Sequence, residues 1–566
     1  MKLNLGQIIT SKNIWTGIPI VLLLLFIVSL FANISHPLLW NDESETVMYG
    51  SRILDYGYPK VHDEGNRSIY LLADPIAVKE GLDAYVGTSW AQFYFATIGV
   101  SLAKPVENIF WKTALVRIPF AFAGLLGLFI LAILFSGFFE NFYHKRLFFS
   151  FFLLFELLSV SLVLHLREAR YYPLVILSIS CIFCIFIRHN FFKRFSALSY
   201  TGFMTASLLL AFMVFYPLYF AFMATFALWE SYRVIKTAAA PKLRLTWISI
   251  WELIKPAGYF PISIFATLPL LVFFKNVQVA KAFRATASGS GFNLMYANIS
   301  NALLFFKNYE FLLLYITARA AVLSLAFIAR TYESRTKKIL QLSNFLSLFV
   351  FCYFVAVSSV PFFFERYYIG LQPILTVILF LDLYVLFALV SKSHSGVSRE
   401  KIIFTVIFTS MFVYSAVGKI DYIQGHIYEM LHPYRGPLDY AIPYIQNNFT
   451  ETSNLVIATD YEELVPAYYL GSRTIIGQLL QNVDEDQKSP DVIIPRNILY
   501  PSGNQNHPGV YDEFFTKARY RKITFPVKEY PYNNIPELYY SYPHVFKTLA
   551  TEDQENAFAI YVKESD

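Results

Sequence analysis

Ile14-Trp15-Thr16-Gly17-Ile18-Pro19-Ile20-Val21-Leu22-Leu23-Leu24-Leu25-Phe26-Ile27-Val28-Ser29-Leu30-Phe31-Ala32-Asn33 carries no charge, and the very different run His36-Pro37-Leu38-Leu39-Trp40-Asn41-Asp42-Glu43-Ser44-Glu45 follows it. An uncharged apolar stretch of about 20 residues is long enough to cross the hydrocarbon core of a bilayer as a helix. It is too long for the apolar core of a secretory signal and has no small-residue cleavage site, so it reads as an anchor. The acidic cluster then leaves the membrane directly beside it.

The rest of the chain repeats the first half of this pattern. Of 566 residues, 56% are hydrophobic, 18% aromatic and only 15% charged, with a mean hydropathy of +0.46. A soluble domain carries about a quarter charged residues, so the deficit excludes fibrous, disordered and nucleic-acid-binding classes and points to a lipid-facing surface. Apolar stretches recur near 14–33, 113–137, 147–166, 172–188, 199–215, 217–233, 258–275, 308–329, 341–360, 368–390 and 401–418, predicting about eleven spans. Cys181, Cys184 and Cys352 are the three cysteines. They lie in apolar runs and read as small core residues, which leaves no disulfide framework.

Sidedness follows from the basic connections. The segment 85–103 is apolar and aromatic but interrupted by Thr88, Ser89, Gln92 and Thr97. If it lies in the interface or re-enters without crossing, then His144-Lys145-Arg146, Arg188 to Arg194, Arg233 to Arg244, Arg330 to Lys338 and Lys392 to Lys401 share one side with Lys2 and Lys12. The positive-inside rule makes that side cytoplasmic. The formal charge of +6 is therefore explained by cytoplasmic loops. The loop 34–112, the segment 276–307 with its Gly/Ser-rich run, read as a flexible outer loop, and everything after 418 are expected outside. Residues 1–418 form one expected membrane domain.

The tail 419–566 is a different kind of sequence, with short apolar runs at 455–458, 474–476, 492–494, 523–525 and 557–562 and helical segments near 437–449 and 461–470. That alternation predicts a small extracytoplasmic α/β domain. No internal repeat stands out, which disfavours many secondary-transporter folds, and no histidines have zinc-ligand spacing.

Charge gathers at the outer ends of the spans. After Asp42, Glu43 and Glu45 come Tyr49, Arg52, Ile53 and Tyr56 at helical spacing, an amphipathic surface helix starting at Asn41 or Asp42. By itself the acidic start is explained by capping and by the helix dipole. Other outer ends carry His165-Leu166-Arg167-Glu168-Ala169-Arg170-Tyr171-Tyr172, Glu365-Arg366-Tyr367 and Arg117. Snorkelling arginines with a tyrosine belt account for any one of these. Together they assemble guanidinium groups, which grip phosphate oxygens in a fork, beside carboxylates on the same face.

Trp40-Asn41-Asp42-Glu43 with Tyr49, Arg52-Ile53-Leu54 and Gly57-Tyr58-Pro59, then Arg117-Ile118-Pro119 with Gly124 and Gly127, then Arg167-Glu168-Ala169-Arg170-Tyr171-Tyr172 resembles the glycosyltransferase 39 superfamily, over roughly residues 14–390. That group has the GT-C fold and includes protein O-mannosyltransferases and aminoarabinose transferases of lipid A. The resemblance implies an all-α, polytopic GT-C membrane domain of about eleven spans plus interfacial helices, followed by the outer α/β domain. It implies transfer of a hexosyl or pentosyl group from a polyprenyl-phosphate sugar to an acceptor hydroxyl on a lipid, glycan or protein of the cell envelope, with inversion.

By similarity Asp42 is the general base, with Glu43 the alternative base or an acceptor-orienting neighbour. Arg170, Arg366, Arg167, Lys281 and Arg284 are the expected holders of the donor phosphate, and Glu168, Tyr171, Tyr172, Glu365, Tyr367 and Arg117 position donor or acceptor. The chain has Tyr172 where several members carry an Asp. A divalent metal is compatible with this reading but not required, and no cofactor is assigned. A transporter or flippase of lipid-linked glycans is the alternative, and a receptor-like scaffold a third. A transporter should place its charges near the bilayer midplane.

Overall fold

The computed structural model describes residues 12–62, 77–79, 81–238, 257–286, 292–328, 333–391, 399–459, 462–476, 489–496, 509–553 and 555–564. The first span is the helix α1 (Lys12–Phe31), and the surface helix α2 (Asn41–Tyr56) follows it. A two-residue antiparallel pair, β1 (Val78–Lys79) and β2 (Ala84–Tyr85), leads to α3 (Ala91–Ala103). α4 (Ile109–Ser136), α5 (Phe142–Leu158), α6 (Val160–Leu166), α7 (Tyr172–Asn190), α8 (Ala197–Val214) and α9 (Tyr216–Ala238) come next. α10 (Tyr259–Phe273), α11 (Asn276–Thr286), α12 (Phe292–Tyr309), α13 (Leu312–Ile328), α14 (Ser334–Ser358), the 3₁₀ turn Glu365–Leu371 and α15 (Gln372–Ser391) complete the larger part of the bundle. α16 (Arg399–Val417) is followed across a 54° bend by α17 (Ile420–Leu431).

Among the described residues, six helices are long and apolar enough to cross a membrane, or nine if each bent pair counts as one span. These nine fall on nine of the eleven predicted positions. The other two are helical as well: α9 carries Glu230, Arg233 and Lys236 in its second half, and α10 has 15 residues. The stretch 276–307, expected as a flexible loop, is instead largely helical, forming α11 and α12. Its Gly/Ser run from Ala287 to Gly291 lies outside the described residues.

α3 is only 13 residues long, about 20 Å at 1.5 Å per residue, well short of a bilayer core of about 30 Å. Small residues set the separations that place α2. A Cβ on Gly50 of α2 would meet Ala96 Cβ of α3 at 2.9 Å, and one on Gly99 of α3 would meet Val116 Cα of α4 at 2.7 Å. Backbones this close pack through dispersion contacts where lipid offers no hydrophobic driving force.

Charge also enters the bundle. Asp382 of α15 is fully buried and accepts from Arg319 of α13 at 3.0 Å and Ser343 of α14 at 2.5 Å, and Glu156 of α5 is fully buried too. The expectation that charges gather only at the outer helix ends is thus incomplete. Pairing is what makes an intramembrane charge such as Asp382 tolerable.

The C-terminal part contains α18 (Leu438–Asn448), β3 (Val456–Thr459), α19 (Leu464–Leu470), β4 (Arg473–Ile476), β5 (Val492–Ile494), α20 (Gly509–Lys517), β6 (Tyr520–Lys528) and β7 (Ala557–Lys563). The strands make one five-stranded sheet in the order β4-β3-β5-β7-β6. β3 pairs in parallel with β4 and β5, whereas β7 runs antiparallel to β5 and β6. Every strand and both helices expected here occur, because each short apolar run supplies the buried face of one element: Ile457, Ala458, Val492, Ile493, Ile494 and Ile560 are all fully buried.

Candidate active site

The N-cap of α2 is Trp40, and the Glu43 carboxylate reaches back to its backbone N–H at 3.4 Å, one half of a capping box. Glu43 does much more than cap. It is fully buried, accepts from Arg117 Nε at 2.8 Å and Nη2 at 2.6 Å, and accepts from the backbone N–H of Ala169 at 2.8 Å. Arg117 in turn donates to the carbonyls of Ile34 at 3.0 Å and Pro37 at 2.8 Å. This forked pair ties the start of α2, the turn leaving α1, the middle of α4 and the loop before α7 together. With four N–H groups directed at it, Glu43 has little capacity left to accept a proton from anything else.

Asp42, one position earlier, points elsewhere. Its carboxylate is partly exposed and lies 3.3 Å from Arg170 Nη2 and 3.5 Å from Arg366 Nη2, while both guanidinium groups are buried. Arg170 also binds Glu45 at 2.6 Å and Thr46 Oγ1 at 3.0 Å through Nη1. Burial opposes its charge, but Asp42 and Glu45 outweigh this and hold its pKa above the ordinary value. Arg366 gives Nη1 to Glu537 and packs over the rings of Phe364, at 4.0 Å, and Trp40, at 5.2 Å. Aromatic faces favour a cation held in this way. Nε of Arg170, Nε of Arg366 and the hydroxyl of Tyr172 are buried and have no hydrogen-bond partner among the described residues. Unpaired buried donors are costly, so three of them around one partly exposed carboxylate mark a place where a polar ligand would be stabilised.

The remaining expected residues divide. Arg167 is buried and donates Nη2 to the carbonyl of Ala32 at 2.6 Å, at the end of α1, while its Nη1 has no hydrogen-bond partner among the described residues. Burial lowers its pKa. Glu168 accepts the Trp40 indole N–H at 3.1 Å and pairs with His165 Nδ1. Glu365 accepts from Ser161 at 3.1 Å and from the backbone N–H groups of Leu538, at 2.7 Å, and Tyr539. Tyr171 stacks on Phe215 with ring centroids 5.2 Å apart, and Tyr367 lies 5.7 Å from the same ring. Lys281 is exposed on α11 and makes none of the contacts around Asp42. The side chain of Arg284 lies outside the described residues. No group of three or more His, Cys, Asp or Glu among the described residues is arranged to hold a metal.

Several residues of the site were not among those expected from sequence. Glu45 stands in the acidic run itself and also accepts from the Tyr85 hydroxyl at 2.5 Å. Glu537, fully buried beside Arg366, comes from the far end of the chain, where only a tyrosine-rich run hinted at anything. The same tail clamps residues 38–39. Asp439 accepts from Leu38 N–H at 2.9 Å, Asn533 Nδ2 donates to Leu38 C=O at 3.2 Å, and Leu39 N–H donates to the Tyr469 hydroxyl at 3.1 Å. Three backbone groups just ahead of Asp42 are thus satisfied by side chains from the C-terminal part.

No protein-family model matches this chain, and no curated protein matches it in sequence. Solved structures do. ArnT from Cupriavidus metallidurans bound to undecaprenyl phosphate is similar with a TM-score of 0.51 at 12% identity, covering 98% of this chain and 98% of that one. The apo state of the same protein gives 0.52 at 12% identity, covering 97% and 98%. This likeness is one of fold, and with the apolar spans it makes the chain a multi-pass integral membrane protein with a GT-C-like helical part and a C-terminal α/β part.

Proposed function

We propose that the protein is an integral-membrane glycosyltransferase that moves a sugar from a polyprenyl-phosphate donor to an acceptor hydroxyl at the extracytoplasmic face. The observation that carries this reading is the partly exposed Asp42 carboxylate set between two buried arginines, each with a guanidinium N–H left unpaired. The undecaprenyl phosphate bound by the similarly folded ArnT supports a lipid phosphate as the group those arginines meet.

In the proposed step the acceptor hydroxyl oxygen attacks the anomeric carbon and its proton passes to Asp42. The bond from that carbon to the phosphate oxygen breaks, and its electron pair leaves with the polyprenyl phosphate. Arg170 and Arg366 hold the charge that develops there, the term that electrostatic preorganisation supplies. Phosphate is already a competent leaving group, so one carboxylate suffices, unlike the pair needed for glycoside hydrolysis. Attack from the side opposite the phosphate inverts the anomeric centre. Glu43, saturated by N–H groups, orients Asp42 and does not act as the base.

The test is single-turnover transfer from a polyprenyl-phosphate sugar by purified Asp42→Asn protein. Loss of transfer with donor binding retained supports the reading, and undiminished transfer removes the base.

A further inference from the structure

We propose that the cavity enclosed by α2, the end of α3, the start of α4 and the end of α19 receives the headgroup of an anionic phospholipid, at a site distinct from the Asp42 cluster. The cavity measures about 330 Å³. Along α2 its lining runs from Met48 to Tyr56, a rise of about 9 to 21 Å from Asp42, so the cavity lies further along the helix than the Asp42 cluster and none of its lining residues belongs to that cluster. The proposal therefore does not depend on sugar transfer.

Cations outnumber anions around it. Arg52, Lys104 and Lys112 line the cavity against the single carboxylate of Asp55. Arg52 is buried and fixed by donating Nη1 to the carbonyl of Lys60 at 2.9 Å. Lys104 is the exposed C-cap of α3, Lys112 is half-buried in the first turn of α4, and neither has an ion-pair partner among the described residues. Ser472 also lines the cavity, is fully buried, and its hydroxyl has no hydrogen-bond partner among the described residues. A phosphodiester suits the two lysines, and a polyol such as glycerol suits Asp55, Ser51 and Ser472, each of which can exchange hydrogen bonds with hydroxyls.

The surroundings identify the ligand as an amphiphile. Tyr94, Ile98 and Leu102 recur every four residues along α3 and are each about half exposed, forming one apolar stripe that ends at Lys104. Trp111, 64% exposed at the start of α4, stands next to Lys112. An aromatic ring at the end of a membrane span is the usual occupant of the headgroup level. Acyl chains lying on the stripe place a phosphate at the two lysines. A zwitterionic headgroup would bring its own cation against Arg52, Lys104 and Lys112, so the site selects net negative charge.

The experiment is native mass spectrometry of the full-length protein released from micelles doped with dioleoylphosphatidylglycerol or dioleoylphosphatidylcholine. Each basic side chain near an anionic lipid surface is worth about fivefold in affinity, so the phosphatidylglycerol adduct should fall about fivefold in Lys104→Ala and about 25-fold in the double variant Lys104→Ala/Lys112→Ala. Both side chains are at least partly exposed, and an unchanged gel-filtration profile verifies folding. Lys338→Ala, near the start of α14, should retain the adduct. Equal retention of the two lipids, or an undiminished adduct in the double variant, overturns the proposal. Glycerol 1-phosphate should displace the lipid only at far higher concentration than the lipid itself requires; binding it as tightly as the lipid overturns the lipid assignment in favour of a soluble anion.

Discussion

Asp42 and Arg366 stand 324 positions apart in the chain and 3.5 Å apart in space. The contact joins the first turn of α2 to the 3₁₀ turn before α15, and it is held from behind by Glu537 of the C-terminal part. A carboxylate and a guanidinium this close neutralise each other in the absence of other ions. A ligand phosphate reaching Arg366 would compete with Asp42 for that guanidinium, so under the proposed function donor binding changes the partners of the Asp42 carboxylate.

Replacing Asp42 by Asn should lower transfer by about 10²- to 10⁴-fold, the usual contribution of a positioned general base. Because Asp42 contributes only edge contacts to Arg170 and Arg366, the variant should fold. Thermal stability in detergent close to that of the parent, measured beside the transfer rate, separates this chemical loss from a structural one.

Glu43 should behave in the opposite way. Removing either partner of a buried ion pair strands the other charge and costs about 3–5 kcal/mol, so Glu43→Ala and Arg117→Ala should each unfold at markedly lower temperature. Fluorescence-detected gel filtration after heating reads this directly. A Glu43→Ala protein as stable as the parent would show that the forked pair does not hold α2 in place.

Arg366→Ala and Arg170→Ala should weaken binding of undecaprenyl phosphate more than tenfold, since hydrogen bonds to charged groups contribute about 1.5–3 kcal/mol each. Arg167→Ala should weaken it less, because Asp42 pairs with Arg170 and Arg366 while Arg167 gives Nη2 to the carbonyl of Ala32. Titration of the lipid phosphate followed by intrinsic fluorescence distinguishes the three.

Burial pushes the Glu537 carboxyl up to about 7, and Arg366 only partly offsets the rise. A carboxyl raised in this way favours the folded state while protonated. Its contribution is complete below the ordinary carboxyl value and is lost as the pH rises through about 7. The stability difference between the parent and Glu537→Gln should therefore shift against the parent as pH rises from about 4.5 to 7, as read from melting temperatures. A difference that is constant over this range would contradict the raised value.

Asn533→Ala should destabilise the protein by about 1–3 kcal/mol, because it leaves the Leu38 carbonyl and the Leu438 N–H unsatisfied in a buried place. Transfer should fall with it, since residues 38–42 would lose one of their anchors. For sidedness, a reporter fused after residue 418 should be active only outside the cytoplasm.

Much of this architecture was legible in the residues themselves. Apolar runs of sufficient length specify spans wherever they fall, since lipid requires the backbone to satisfy itself within each helix. The five strands of the tail were equally visible, each being a short run of β-branched or aromatic residues with its own buried face. The stretch 276–307 differs from the flexible outer loop that its Gly/Ser run predicts, because the residues on either side of that run are helical and form α11 and α12.

By itself the sequence determined which stretches are long and apolar, which connections are basic, and that Asp42, Glu43, Arg170 and Arg366 lie at or beside helix ends. Those are local properties, set by hydropathy and by neighbours along the chain. Only the tertiary structure decided that Glu43 is consumed by Arg117 and Ala169 whereas Asp42 remains accessible, that Arg167 meets the end of α1, and that Glu537 and Asn533 return from the tail to hold the site. Adjacent carboxylates on one helix turn differ in direction by about 100°. Which of them meets a buried cation and which meets solvent depends on partners hundreds of residues away, and nothing in the local pattern encodes that choice.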